Sequence, residues 1–180
     1  NYVPGWNRSS LETTFAMVRG EHDFNDDWTG YVALGGNRTH ERSLAGTVTL
    51  SDEDGNGTVG QLDTAYQSAS LASQIGLRGE LDTGPVSHQL NLGYSSVYSR
   101  KDVAYEYPNT DPSSPLTLYP DPDTNLYDPV AVDQRPENVT FGDVGDPNTT
   151  GRVYNNGVSL SDTLGFIDDR LLLTLGARYQ

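Results

Sequence analysis

Cysteine is absent from this 180-residue chain, and basic residues are few, 11 against 25 acidic residues. Without cysteine the chain has no disulfide, no thiolate metal site and no thiol nucleophile. The net charge of −14 argues against a nucleic-acid-binding protein, because such a protein needs a basic surface. The chain also lacks a run of about 18 apolar residues, which excludes a transmembrane helix.

Apolar residues make up only 34% of the chain, a low share for a soluble globular domain, whereas glycine (19) and tyrosine (11) are abundant. This composition predicts either partial disorder or a β protein in which only one face of each strand is apolar. Residues 1–4 resemble neither the basic nor the apolar region of a signal peptide, so no such leader is visible.

Apolar and polar residues alternate along several parts of the chain, and a period of two predicts β-strands. The alternation is clear in 71–81, 90–99, 158–164 and 171–180, although Asp162 interrupts the apolar row of the third segment. Two earlier segments, 10–24 and 28–42, alternate less clearly. No segment keeps a helical period over three turns. We therefore expect an all-β, antiparallel fold of about six long strands.

Short and long connections alternate between these strands. Residues 24–28, 82–87 and 166–169 contain the Asn, Asp, Gly or Pro that tight turns need. The segments 43–63 and 103–157 are predicted to be long loops, and the second holds eight of the ten prolines. These two segments are also acidic, with net charges of −4 and −7, which indicates a solvated loop surface or a cation-binding vestibule.

Short turns at one end of the strands and long loops at the other are typical of an outer-membrane β-barrel. Each strand is long enough to cross a bilayer, which takes about 9–11 residues. Six strands cannot close a barrel, and open edges are not tolerated in lipid, so we expect an incomplete barrel from a larger protein. The alternative is a soluble, secreted β-sandwich that binds carbohydrate or calcium.

The barrel interpretation assigns each strand residue to one of two faces. On the last strand Leu171, Leu173 and Leu175 are expected to meet lipid, whereas Thr174, Gly176 and Arg178 face inward. Polar residues such as Gln74, Arg78, Glu80 and Arg178 would line the interior.

A possible calcium loop lies at 52–63. Its oxygen-bearing residues Asp52, Asp54 and Asn56 occupy positions one, three and five, Gly57 follows at six, and Asp63 ends the motif at twelve. Asp63 is shorter than the usual bidentate Glu, and the flanking segments read as strands rather than helices. The other interpretation is a glycine-rich acidic loop that binds no metal.

Four tyrosines are candidates for contact with an organic ligand, because flat amphipathic rings suit the mouth of a binding cavity. They lie in or beside the long loop, at Tyr105, Tyr107, Tyr119 and Tyr127. Packing within the loop is the alternative role for each. The histidines His22, His40 and His88 have no metal-ligand spacing, and neither a nucleophile elbow nor a phosphate loop is present, so the sequence does not predict an enzyme.

Three segments resemble one protein family. The hairpin 158–180, with its return strand LLTLGAR, resembles a hairpin of TonB-dependent siderophore receptors. The segment FNDDWT at 24–29 resembles a periplasmic turn of that family, and YDPV at 127–130 resembles a loop motif of its ferric-siderophore branch. The resemblance extends in order from about Trp6 to Gln180.

The resemblance implies a barrel of about 22 strands with a plug domain inside it. It further implies a bacterial outer-membrane receptor that contacts lipid, binds a ferric siderophore as its transported ligand and is driven by the TonB complex, with no cofactor required. Residues 1–180 would form part of the barrel domain, while the plug and the TonB-contacting region would lie elsewhere in the protein.

Overall fold

A computed structural model describes residues 4–180, so residues 1–3 of the segment in which no leader is visible lie outside the described residues. Every regular element in the described part is a β-strand. Among these residues no helix is long and apolar enough to cross a bilayer. The strands are β1 (Arg8–Asp23), β2 (Trp28–Leu50), β3 (Asn56–Thr83), β4 (Val86–Tyr107), β5 (Asp123–Asn125), β6 (Val139–Phe141), β7 (Asn148–Phe166) and β8 (Leu171–Tyr179).

All eight strands belong to one sheet, in which the six long strands follow the order β1-β2-β3-β4-β7-β8. The short strands β5 and β6 pair antiparallel with β3 and β4. The prediction of six long strands in three hairpins, as part of a barrel wall, is confirmed. The alternative of a β-sandwich is wrong, because a sandwich needs two packed sheets and the described residues form one.

The predicted long loop at 43–63 is wrong in its extent. Strand β2 continues to Leu50 and β3 starts at Asn56, which leaves only a tight turn at 51–55. The Ser51 N–H donates to the Asn56 carbonyl over 2.6 Å, and Gly55 has a φ of 81° that only glycine adopts freely. The acidic and glycine residues of 43–63 suggested a loop, but on either side of the turn the chain is extended and buries Leu44 on β2 and Val59, Gln61 and Asp63 on β3.

The second long loop is confirmed but is shorter than predicted. Strand β4 extends to Tyr107 and β7 begins at Asn148, so the connection runs over 108–147 and contains β5 and β6. We call this segment the long loop from here on.

The hairpin turns follow from local side-chain chemistry. The Asn25 carboxamide oxygen accepts hydrogen bonds from the N–H groups of Asp27 and Trp28, each over 2.9 Å, which closes the turn between β1 and β2. Gly84, with a φ of 66°, forms the turn between β3 and β4. In the third turn the non-glycine residues 167–169 all have positive φ, an uncommon and strained conformation.

The chain is divided into two compact units, and each is described separately. The loop unit comprises the chain up to Thr13, Thr39–Ser68 and Lys101–Gly151. It buries a small apolar cluster of Ala65, Ala104 and Val144. The turn unit comprises Thr14–Arg38, Ala69–Arg100 and Arg152–Gln180, with the three hairpin turns. Most of its leucines and valines and both of its isoleucines are exposed, which a surface in contact with lipid explains and a surface in water does not.

Candidate functional site

One face of the turn unit is apolar. A groove of about 730 Å³ lies on this face, lined by side chains from β2, β3, β4 and β7. Its main apolar contributors are Val32, Ile75, Leu77, Leu92, Tyr94 and Val158. Ile75 exposes 58% of its surface, so this face is open rather than packed against another layer.

A second groove, of about 610 Å³ in the same unit, is polar and is lined by the residues at the intervening strand positions. Glu21 forms ion pairs of 2.5 Å with both Arg19 and Arg78. The Tyr31 hydroxyl donates to Asn91 over 3.1 Å. The predicted inward residues Gln74, Arg78 and Glu80 line this groove. One apolar and one polar face is the arrangement expected of a membrane barrel wall.

The pairing of β7 with β8 places the last strand's residues on the two faces as its alternation predicts. Leu173 lies opposite Leu164, and Thr174 lies opposite Thr163, with their hydroxyls 2.9 Å apart. Arg178 lies opposite Ser159 and donates to the Ser95 hydroxyl over 3.5 Å. Leucines and threonines of adjacent strands therefore form separate rows.

Arg135 anchors the long loop in the loop unit. Its Nη1 donates to the carbonyls of Tyr119 and Pro120, each over 3.0 Å, and to the Asp121 carboxylate over 2.7 Å. Its Nη2 donates to the Val59 carbonyl over 3.1 Å. The Arg135 side chain is only 12% exposed, so these contacts replace water around a buried charge.

Gln61 fixes the same part of the loop from β3. Its carboxamide oxygen accepts from the Arg135 N–H over 2.8 Å, and its nitrogen donates to the Arg135 carbonyl over 2.8 Å and to Glu137 over 2.7 Å. Two further hydrogen bonds hold other parts of the long loop in place. Asn138 accepts from the Asn109 N–H over 2.6 Å, and the Trp6 indole donates to the Val132 carbonyl over 3.0 Å.

The four candidate tyrosines all lie in the loop unit, each in its own surroundings. The Tyr107 ring stacks on Phe141 with a centroid distance of 6.5 Å, and the Tyr119 carbonyl accepts from Arg135. Tyr127 is 73% exposed and covers Gly55, while Tyr105 lies opposite Phe141 in the β4–β6 pair. Within residues 4–180 no two of these four rings pack on each other, so their shared role in binding stays a prediction.

The four predicted calcium ligands do not form a calcium loop. The Asp52 carboxylate accepts from the N–H and the side-chain amide of Asn56, over 3.0 and 2.8 Å. Asp63 is buried in β3 and pairs with Arg42 over 3.0 Å. Because β3 is extended, its seven residues after Asn56 place Asp63 about 23 Å further along the strand. No group of three or more potential ligands occurs in the described chain, and the calcium site is not supported.

Hydrogen bonds lower the pKa of two exposed carboxylates in the turns and the loop. The side-chain amide of Asn56, followed by its backbone N–H, lowers the pKa of Asp52. The hydroxyl and N–H of Ser113 do the same for the pKa of Asp111. Both groups therefore stay ionised and keep these segments acidic.

Sequence reasoning missed a polar cluster in the turn unit. The His88 Nδ1 lies 2.8 Å from the Asp162 Oδ2, and its Nε2 lies 2.6 Å from the Thr83 hydroxyl. The sequence did indicate an unusual position here, because the acidic Asp162 interrupts an apolar row. What the sequence did not show is that His88, 74 positions away, stands beside it.

Comparison with known proteins finds relatives along the whole chain. The ferrichrome receptor FcuA of Yersinia enterocolitica is 36% identical over 180 residues, which are 100% of this chain and 22% of that protein. The crystal structure of BauA, the ferric preacinetobactin receptor of Acinetobacter baumannii, matches with a TM-score of 0.75 and 25% identity over 98% of this chain and 25% of that one. The ferric-catecholate import receptor Fiu of E. coli K12 shares the fold, with a TM-score of 0.68 and 18% identity over 98% of this chain and 26% of that one. No family model matches the chain.

The sequence comparison and the structural comparisons both agree with the architecture of the sheet. The similarity covers 98–100% of this chain and only 22–26% of each relative, as expected for part of a barrel wall. The two-faced sheet, the short turns and the long loop have the form of that wall. Over its whole length the chain therefore matches a segment of the β-barrel of TonB-dependent siderophore receptors, the family that its motifs resemble.

Proposed function

We propose that this chain supplies wall strands and an extracellular loop to a bacterial outer-membrane receptor that takes up a ferric siderophore. The observation that carries the proposal is the 36% identity of the entire chain to a ferrichrome receptor. The separation of the turn unit into an apolar and a polar face supports a position in the membrane. Function is then binding and gated passage, and the chain's relatives are receptors rather than enzymes.

We assign the two faces to different partners. The apolar face meets the hydrocarbon of the outer membrane. The polar face, with the Arg19–Glu21–Arg78 network, meets the lumen and the plug domain of the complete receptor, where charged groups find polar partners. Contact with the TonB complex belongs to other parts of the protein.

The ligand that we propose is a neutral ferric hydroxamate of the ferrichrome type. The relative that spans the whole chain is named for ferrichrome. The segments 43–63 and 103–157 together carry a net charge of −11, and this field disfavours the approach of a multiply anionic ferric catecholate. Tyr105, Tyr107, Tyr119 and Tyr127 remain the proposed contacts of the loop unit with the ligand.

Uptake by the complete receptor tests the proposal. The receptor would be expressed in a bacterial strain that lacks its own ferric-siderophore receptors, and binding and uptake of radiolabelled iron would be measured. We expect ferrichrome to be bound and then imported only in energised cells, and a ferric catecholate to be bound more weakly. Absence of binding for both ligands, with the receptor folded in the outer membrane, would refute the proposal.

A further inference from the structure

The residues His88, Asp162 and Thr83 form a hydrogen-bonded polar cluster close to the apolar groove of the turn unit. Asp162 occupies the row of Val158, Leu160 and Leu164, and Val158 lines the groove. His88 occupies the same row on β4 as Leu92, which also lines the groove. Along each strand the cluster lies four positions from a residue that lines the groove, a distance of about 13 Å. The cluster therefore lies at the end of the groove that is nearer the hairpin turns.

The hydrogen bonds of this cluster are incompletely satisfied. A carboxylate only accepts, so the His88 Nδ1–H donates to Asp162 Oδ2, and in the neutral ring the Nε2 accepts from the Thr83 hydroxyl. The other oxygen, Asp162 Oδ1, is buried and has no hydrogen-bond partner in the described chain. An ionised carboxylate with an unpaired oxygen on an apolar face is costly unless a cation compensates it. The Asp162 side chain as a whole is 27% exposed, so a donor outside the chain can reach the carboxylate, whose two oxygens exchange by rotation about χ2.

We propose that the groove and the cluster together bind one phosphatidylethanolamine molecule. This lipid belongs to the leaflet on the side of the turns at 24–28, 82–87 and 166–169. Its primary ammonium donates to the Asp162 carboxylate, and one acyl chain lies in the groove. A phospholipid covers half of a bilayer of about 40–45 Å, which is long enough to occupy both places. The ammonium carries three N–H donors, whereas phosphatidylcholine has none and phosphatidylglycerol has no cation. The inference rests on the proposed membrane location of the apolar face.

Photo-crosslinking tests the site in the complete receptor. The receptor would be placed in nanodiscs that contain phosphatidylethanolamine, phosphatidylcholine or phosphatidylglycerol, each with the same diazirine-labelled acyl chain. We expect phosphatidylethanolamine to label the groove strands most strongly. Asp162→Asn should lower this labelling by at least about threefold, the effect of a modest ion pair. Asp168→Asn, in the neighbouring turn, is the matched control and should leave it unchanged.

A second variant tests the groove independently of the charge. A Cβ added at Gly20 meets only the Val32 side chain, at 3.8 Å, so Gly20→Phe can place its ring in the groove without a backbone clash. We expect this variant to lose labelling while its receptor keeps the heat-modifiable gel mobility of a folded barrel. Equal labelling by all three lipids, or labelling unaffected by both variants, would show ordinary lipid contact and overturn the site. A receptor that labels as expected but binds no ferric siderophore would refute the proposed ligand and not the lipid site.

Discussion

At the scale of single residues, the Arg135 side chain holds the long loop through four hydrogen bonds. Its guanidinium joins the Tyr119 and Pro120 carbonyls, the Asp121 carboxylate and the Val59 carbonyl of β3. Arg135→Ala removes the guanidinium donors and leaves the buried Val59 and the partly buried Tyr119 and Asp121 acceptors unpaired, so we expect the loop to open more easily by about 2–4 kcal/mol. Limited proteolysis of the complete receptor should then cut within 108–147, whereas Arg152→Ala, at an exposed arginine of β7, should not promote cutting. Equal resistance of both variants would show that Arg135 does not hold the loop.

The Asp52 carboxylate gives a prediction on acidity. Its pKa is lowered chiefly by the side-chain amide of Asn56, so Asn56→Ala should raise the pKa of Asp52 toward its ordinary range. Since the pKa of the folded form lies below that of the unfolded form, this contribution to turn stability is present at neutral pH. It is lost as the pH falls through the lowered value. An NMR titration of labelled aspartate would measure the change, and an unaltered Asp52 pKa would contradict the assignment.

At the scale of elements, the pairing of β7 with β8 gives a test of the two faces. Leu173 lies among leucines, and Thr174 shares a hydroxyl contact with Thr163. An arginine in the lipid near the bilayer midplane costs about 2–4 kcal/mol, whereas one facing the polar interior costs much less. Leu173→Arg should therefore reduce the folded fraction of the complete receptor on heat-modifiable gels more than Thr174→Arg does. Equal tolerance at both positions would contradict the assigned faces.

Gly79 of β3 lies beneath the indole ring of Trp28 of β2. A Cβ added at Gly79 would lie 2.3–2.6 Å from three atoms of the Trp28 ring, so Gly79→Ala must displace the indole. We expect a loss of about 1–3 kcal/mol, the usual cost of overpacking. Gly20→Ala, where the nearest atom is 3.8 Å away, is the matched control with little effect. Urea unfolding of the receptor in lipid vesicles would compare them, and the Gly79→Ala prediction fails if both variants unfold alike.

The elements were predictable to different degrees. Period-two alternation and turn residues located β3, β4, β7 and β8, because a strand with one face in lipid must alternate. The prediction failed at 43–50, although Leu44, Val48 and Leu50 share one face there, because the small residues between them and the acidic turn that follows suggest a loop. The contacts of Arg135 and His88 were not predictable, since each joins residues more than 70 positions apart in the chain. The tyrosines were located on the correct part of the chain, but their individual packing depends on the path of the loop.

At the scale of the whole molecule, the long loop can be separated from the wall. Deleting 110–146 removes no residue of the long strands, whose ladders run from Val86 to Tyr107 and from Asn148 to Phe166. The complete receptor should therefore still fold, as heat-modifiable mobility would show. Ferrichrome binding should weaken, because the loop's tyrosines and carbonyls no longer cover the mouth. A folded receptor with unchanged binding and uptake would show that the loop is only a solvated surface.

The register of β7 with β8 also limits how such a chain can change over evolution. Nine successive residue pairs alternate between the two faces, from Val158 with Tyr179 to Phe166 with Leu171. Inserting a single residue within either strand would exchange leucines and threonines between lipid and lumen. Receptors of this kind should therefore accumulate length variation in the long loop and almost none in the paired strands. Ligand specificity can diversify there through insertions and deletions, while the wall changes only by substitution.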